Sequence, residues 1–183
     1  MSRSLSSHRW RVSIGSCSRG GSLLRRSRGL GGSGIGNLKS EYAKPKVVLD
    51  TKPLIKLFAY ERGWEAVQKI LAKIEAGEVE GAISVITLTE IYYKYLQEGR
   101  PDLAEARTEV LRRAIYLRKL GIGEEAALQA GVFKGKYAVP IADALIAASA
   151  YLEKATIISD DQDYKRIKEV KALTEDEFIS QLR

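Results

Sequence analysis

Ala82-Ile83-Ser84-Val85-Ile86-Thr87-Leu88-Thr89-Glu90 changes character part-way along. Residues 82–86 form a short, largely β-branched apolar run of the kind that fills a buried strand, and the pattern turns to helical spacing after Thr87 as it leads into Ile91-Tyr92-Tyr93-Lys94-Tyr95-Leu96. This predicts a strand over 82–86, a helix opening at Thr87, and Glu90 in its first turn. A carboxylate at the exit of a buried strand needs a reason. Comparable acids are Asp50 after Val47-Val48-Leu49, Asp143 inside Pro140-Ile141-Ala142-Asp143-Ala144-Leu145-Ile146, and Asp161 after Thr156-Ile157-Ile158-Ser159.

Outward from that stretch the pattern repeats. Lys46 to Asp50 reads as a buried first strand, and Pro53 suits the first position of the helix that follows it, through Leu54, Ile55, Leu57 and Phe58. Trp64, Val67, Ile70, Leu71 and Ile74 recur at helical spacing until Gly77. Pro101 opens a long helix whose apolar stripe runs through Leu103, Val110, Leu111, Ala114 and Leu117, with Gly121 and Gly123 as its exit. Further helices are predicted from Glu124 to about Phe133 and from Pro140, then strands at 156–159 and 170–173 and a last helix capped by Thr174-Glu175-Asp176-Glu177. Strands alternating with helices imply an α/β fold, a three-layer α/β/α sandwich around a mostly parallel sheet. In such sheets the carboxyl ends of the strands face a common crevice, toward which Asp50, Glu90 and Asp161 would project.

Charge is distributed unevenly. Residues 1–46 hold ten Lys or Arg and one acid, Glu41, whereas the remaining residues hold 20 basic and 22 acidic side chains, so the net +7 belongs to the leader. With eleven serines, eight glycines and no apolar periodicity, residues 1–46 cannot bury enough surface to offset the entropy of ordering, and a disordered basic leader is expected there. Its composition suits an artificial extension, a start codon placed too early, a transit peptide or a genuine basic arm. Residues 47–183 form the expected folded domain. They contain no Cys, His, Met or Asn, which excludes thiolate and imidazole chemistry and zinc ligation by those side chains. Loss of thermolabile residues beside abundant Glu, Lys and Arg is the pattern of a thermophile. The longest apolar stretch, Ala144 to Leu152, is too short to span a bilayer, so no membrane is involved and a cytoplasmic location is expected.

Each acid has an ordinary structural explanation. Thr87 and Glu90 fit a capping box, Asp143 suits the start of a helix, Asp50 could cap the next helix, and Asp160 to Asp163 could be a polar turn. Two features point further. The helix from Ile141 is apolar or small on nearly every face, so Asp143 should be buried, and no basic residue precedes it closely except Lys134 and Lys136. Burying an ionised carboxylate costs several kcal/mol unless a cation compensates. Independent caps also have no reason to gather at one sheet edge, and clustered carboxylates need the counter-charge that oxygen-seeking cations such as Mg²⁺ or Mn²⁺ supply.

Residues 47 to 183 resemble a PIN domain, the ribonuclease fold of VapC toxins from toxin-antitoxin pairs. The resemblance rests on Val47-Val48-Leu49-Asp50-Thr51, on Ile83 to Tyr92, on Ile141 to Ala150, and on Ile157-Ile158-Ser159-Asp160-Asp161-Gln162-Asp163-Tyr164, in that order. It implies a metal-dependent endoribonuclease with Asp50, Glu90, Asp143 and Asp161 as catalytic and metal-binding acids. The spacing of the family pattern selects Asp161 over Asp160 and leaves Asp163 as a supporting acid. Thr51, Thr87 and Ser159 would orient ligands, and Lys52 stands where a small polar residue is common.

Without His or Cys, hydrolysis of a phosphodiester would use water activated by Mg²⁺ or Mn²⁺. Lys165 and Arg166, beside Asp161, are the favoured phosphate contacts; Arg100, Arg112, Arg113, Arg118 and Lys119 are further candidates. Tyr92, Tyr93 and Tyr95 read as packing residues before base-stacking ones. The resemblance also implies an RNA substrate, a small antitoxin partner that inserts a basic side chain among the acids, and a homodimer. The main rival is a non-catalytic PIN module that binds RNA or protein. A phosphoaspartate receiver or a haloacid-dehalogenase-like phosphatase fits less well, because position 52 is Lys and Asp50 lacks acidic neighbours before it.

Overall fold

The computed structural model describes residues 44–182. Most of the expected leader, residues 1–43, lies outside the described residues, and Lys46 opens the first strand. In chain order the elements are β1 (Lys46–Leu49), α1 (Thr51–Ala59), α2 (Trp64–Glu75), β2 (Glu80–Ser84), α3 (Val85–Gln97), α4 (Pro101–Arg113), β3 (Leu117–Leu120), α5 (Glu124–Tyr137), α6 (Ile141–Glu153), β4 (Thr156–Ile158), α7 (Gln162–Arg166), β5 (Ala172–Leu173) and α8 (Glu175–Gln181).

The strands form one five-stranded sheet of order β3-β2-β1-β4-β5. Every pairing is parallel, with Val48 opposite both Ala82 and Ile157 in the central rows. Side chains alternate across β1, and each face buries its own core. Val47 and Leu49 pack with Ile83, Leu117 and Ile158 beneath Leu54, Ile70, Ile91, Leu111 and Phe178, which places α1 to α4 and α8 on one face. Val48 and Ile157 pack with Phe133, Ala147, Tyr164 and Ile167, which places α5 to α7 on the other. The chain is thus the α/β/α sandwich expected, with an all-parallel sheet. Gly81 in β2 is required by close packing, since a Cβ there would collide with the Ile74 side chain of α2.

Strand order reverses at β1, where the chain winds outward through β2 and β3 in one direction and through β4 and β5 in the other. A doubly wound sheet opens a crevice at such a point, outside the carboxyl ends of the central strands. Asp50 directly follows β1, and Asp161 lies just beyond β4.

Two sequence expectations are corrected. The helix after β2 begins at Val85, two residues ahead of Thr87, because the Ser84 Oγ accepts the Ile86 amide at 3.3 Å and caps it. Glu90 therefore sits in the second turn, and the Thr87–Glu90 capping box does not form; the Thr174–Glu177 box does. The stripe from Leu103 to Leu117 is also not one helix. α4 stops at Arg113, Ala114 turns the chain at ψ 88, and Leu117 to Leu120 become the edge strand beside β2. Among the described residues, no helix is long and apolar enough to cross a membrane.

Candidate functional site

Asp50 is delivered by β1 into the crevice, 4% exposed. It occupies the N-cap position of α1 but makes no side-chain cap bond; instead Ser159 Oγ donates to its Oδ2 at 2.7 Å and the Tyr164 hydroxyl donates to Oδ1 at 2.9 Å. Burial raises the Asp50 pKa above the ordinary carboxylate value, and these donors pull against that rise. Tyr164 is fully buried, and its hydroxyl is pushed far above the ordinary phenol value, by burial first and then by Asp50 and Asp143. It remains a proton donor at any working pH.

Glu90 points back from α3 to the start of α1, where Thr51 Oγ1 donates to its Oε2 at 2.5 Å. Burial again raises its pKa, Thr51 opposes the shift, and the Asp50 charge adds to it. Thr87 is buried one turn earlier, and its Oγ1 has no partner among the described residues.

Asp143 enters from the first turn of α6. Its carboxylate, with those of Asp161 and Asp163, offers oxygen atoms that all lie within 4.8 Å of one another. Desolvation and then the charges of Asp50, Asp161, Glu90 and Asp163 push the Asp143 pKa up to about 7. The crevice therefore gathers five acids from the end of β1, from α3 and α6, and from the β4–α7 turn and the first turn of α7, although they are scattered along the chain. Asp163, expected only as a supporting acid, belongs to the tight triplet.

The surrounding cations are unequally engaged. Lys52 Nζ lies 2.8 Å from Asp161 Oδ2, while Asp161 Oδ1 caps α7 by accepting the Asp163 amide at 2.9 Å. That amide and then Lys52 hold the Asp161 carboxyl below its ordinary range. One turn along α1, Lys56 reaches Asp160 at 2.7 Å and the buried Glu175 of α8 at 2.9 Å. Arg166 pairs with Asp163 at 3.0 Å and also donates to the Tyr137 carbonyl, while Lys165 is exposed beside it. The other basic candidates are bonded elsewhere: Arg100 with Asp102, Arg112 and Arg113 with Glu109, Arg118 with Glu153, and Lys119 with the Ala114 carbonyl. Tyr95 is buried, whereas Tyr92 and Tyr93 are 44% and 47% exposed.

Sequence reasoning missed two participants. The Tyr164 hydroxyl was signalled only by its position three residues beyond Asp161, which returns it to the same turn. Lys52 was visible as a departure from a pattern, without any sign of its bond to Asp161.

The donor set suits a hard divalent cation. It consists of carboxylate oxygens on semi-rigid elements, and among the described residues no hydrogen-bond donor or cation is bonded to Asp143, the acid on which the other charges bear. A bound cation would supply the missing compensation.

Comparison with known proteins agrees with the fold. A family model described as PIN domain matches residues 47–170. Ribonuclease VapC4 of Mycobacterium tuberculosis is 33% identical over 100 residues, which cover 52% of this chain and 77% of that protein. The crystal structure of VapBC2 from Rickettsia felis bound to a promoter DNA fragment matches with a TM-score of 0.59 at 18% identity, over 70% of this chain and 98% of that one. A toxin-antitoxin complex from Klebsiella pneumoniae matches with a TM-score of 0.53 at 22% identity, over 70% and 97%. At these identities the two structures speak to the fold.

Proposed function

The chain belongs to the PIN-domain family, and from that premise we propose that it is a divalent-metal-dependent endoribonuclease, the toxin of a toxin-antitoxin pair, with its activity in residues 47–183. The observation that carries this reading is Asp143, half-buried, ringed by four further acids and without a bonded cation among the described residues. A non-catalytic binding module would have little use for a charge cluster that opposes its own folding. The name of the Mycobacterium tuberculosis relative supports a ribonuclease, and the Klebsiella pneumoniae complex supports a small antitoxin as partner. A homodimer is part of the same proposal.

Asp143, Asp161 and Asp163 would hold the ion, with Asp50 and Glu90 contributing directly or through water. When bound, Mg²⁺ or Mn²⁺ lowers the pKa of water at the scissile phosphate and stabilises the leaving oxygen. Asp50 is an acceptor with both oxygens fixed by Ser159 and Tyr164, so it orients an attacking water along its remaining lone pairs. Glu90, held by Thr51, accepts a second hydrogen bond from that water or takes its proton. Exposed Lys165 receives a neighbouring phosphate, and Arg166, paired with Asp163, steadies that acid.

The test is cleavage of a fluorescently labelled RNA by the purified chain. Cleavage is expected in Mg²⁺ or Mn²⁺ and should stop in EDTA and in Asp143→Asn with its circular dichroism unchanged. Equal cleavage in EDTA would overturn the mechanism.

A further inference from the structure

α1 presents two lysines to consecutive acids of the β4–α7 turn, and the two are not equivalent. Lys56 has a side chain 18% exposed, and it bridges Asp160 and the 6%-exposed Glu175. Its removal from those partners would strand a buried carboxylate, so it is a fixed strut. Lys52 has a side chain 53% exposed and, among the described residues, a single acid partner, Asp161, itself 26% exposed. An exposed lysine on a flexible stem gives up such a pair at little cost. Asp161 is also one of the triplet whose oxygens converge within 4.8 Å. A divalent ion there would compete directly with the Lys52 ammonium for the same carboxylate.

Resting on the metal-nuclease reading, we propose that Lys52 is a phosphate-binding residue held on Asp161 until a divalent cation takes over that carboxylate, which releases the ammonium to the RNA backbone at the rim of the site. Position favours it over its neighbours. Arg166 is tied to Asp163 and the Tyr137 carbonyl, and Lys56 is locked between two acids. Lys52 and Arg166 are about equally exposed and each is bonded to a triplet acid, but among the described residues Lys52 has no second anchor of the kind the Tyr137 carbonyl gives Arg166. Metal loading and substrate capture are thereby coupled: the ion that prepares the site also frees a cation to hold the strand.

Two titrations test this on the full chain. Mn²⁺ binding followed by electron paramagnetic resonance is expected to tighten about two- to fivefold in Lys52→Gln, the range set by loss of an exposed ion pair, and to stay unchanged in Lys52→Arg. Binding of a short labelled single-stranded RNA in Ca²⁺, with the strand checked intact on a gel, is expected to weaken in Lys52→Gln. Its log–log salt slope should fall by about 0.7, one phosphate contact on a single strand. Thermal melts of both variants should match wild type. Unchanged or weaker Mn²⁺ binding in Lys52→Gln overturns the exchange, and an unchanged salt slope overturns the phosphate role. Failure of wild type to bind Mn²⁺ would instead sink the metal reading beneath it.

Discussion

Asp143→Asn should make the cation-free protein more stable, although it removes a residue from the heart of the candidate site. The folded state displaces the Asp143 pKa from 3.8 to about 7, burial being the first cause and the neighbouring acids the second. A displacement of that size corresponds to about 4 kcal/mol for a group shielded from water. Asp143 is half-exposed, so solvent screening reduces the expectation to ~1–2 kcal/mol. The sign follows from proton linkage. Between the two pKa values the folded state binds the proton that the unfolded state has lost, so stability falls as pH rises through this window and the cost is complete above it. Urea denaturation in EDTA at a pH about one unit above 7 should show Asn raising the midpoint with an unchanged m-value. The gain should fade as pH is lowered toward the ordinary aspartate range. With saturating Mg²⁺ the order should invert, since wild type gains the linkage energy of a bound ion that the variant lacks. A destabilised Asn variant in EDTA, or a gain independent of pH, would refute the claim that Asp143 is an uncompensated charge.

Other consequences can be measured on the same protein. Tyr164→Phe removes one of the two hydroxyl donors to the buried Asp50 carboxylate and should cost about 1–3 kcal/mol in urea denaturation at neutral pH, while weakening Mn²⁺ binding. Lys56→Met strands Glu175 and should cost about 3 kcal/mol, and the double variant Lys56→Met with Glu175→Leu should recover much of that loss in a mutant cycle. Gly81→Ala places a methyl group against Ile74 and should lower stability by about 1–3 kcal/mol without changing Mn²⁺ affinity.

The sheet and the acids at its edge were legible because apolar runs of strand length end in them: Val47 to Leu49 before Asp50, and Ile157 to Ser159 before Asp161. The misreadings occurred where two local signals competed. Ser84 and Thr87 are both good N-cap residues, and β-branched Val85 and Ile86 favoured extending the strand. Pairing of β2 with β3 ends at Ser84, however, and Ser84 takes the cap. β3 was hidden because Leu117 continues the α4 stripe in phase and no Gly or Pro marks the break at Ala114. Its Arg118 and Lys119 read equally well as a helix surface or as the charged guard of an edge strand. Tyr164 carried no sequence signal for its hydroxyl beyond its place three residues after Asp161, since a buried aromatic there is explained by packing alone.

Compensation along the crevice is graded. Asp160 is met by a largely buried lysine that also serves Glu175, Asp161 by an exposed lysine with no second acid, and Asp50 by two neutral hydroxyls; Asp143 has no bonded donor or cation among the described residues. Selection for stability alone would leave no such gradient, because a lysine or asparagine near Asp143 would relieve the strain at once. Four elements converge there, and each contributes negative charge to a place where water is already partly excluded. On the proposed reading a divalent cation bound here would lower the free energy of the site, and Lys52, an exposed lysine bonded to Asp161, stands beside the place that cation would occupy. The steepness of the gradient, more than the number of acids, distinguishes a cation site from an acidic surface.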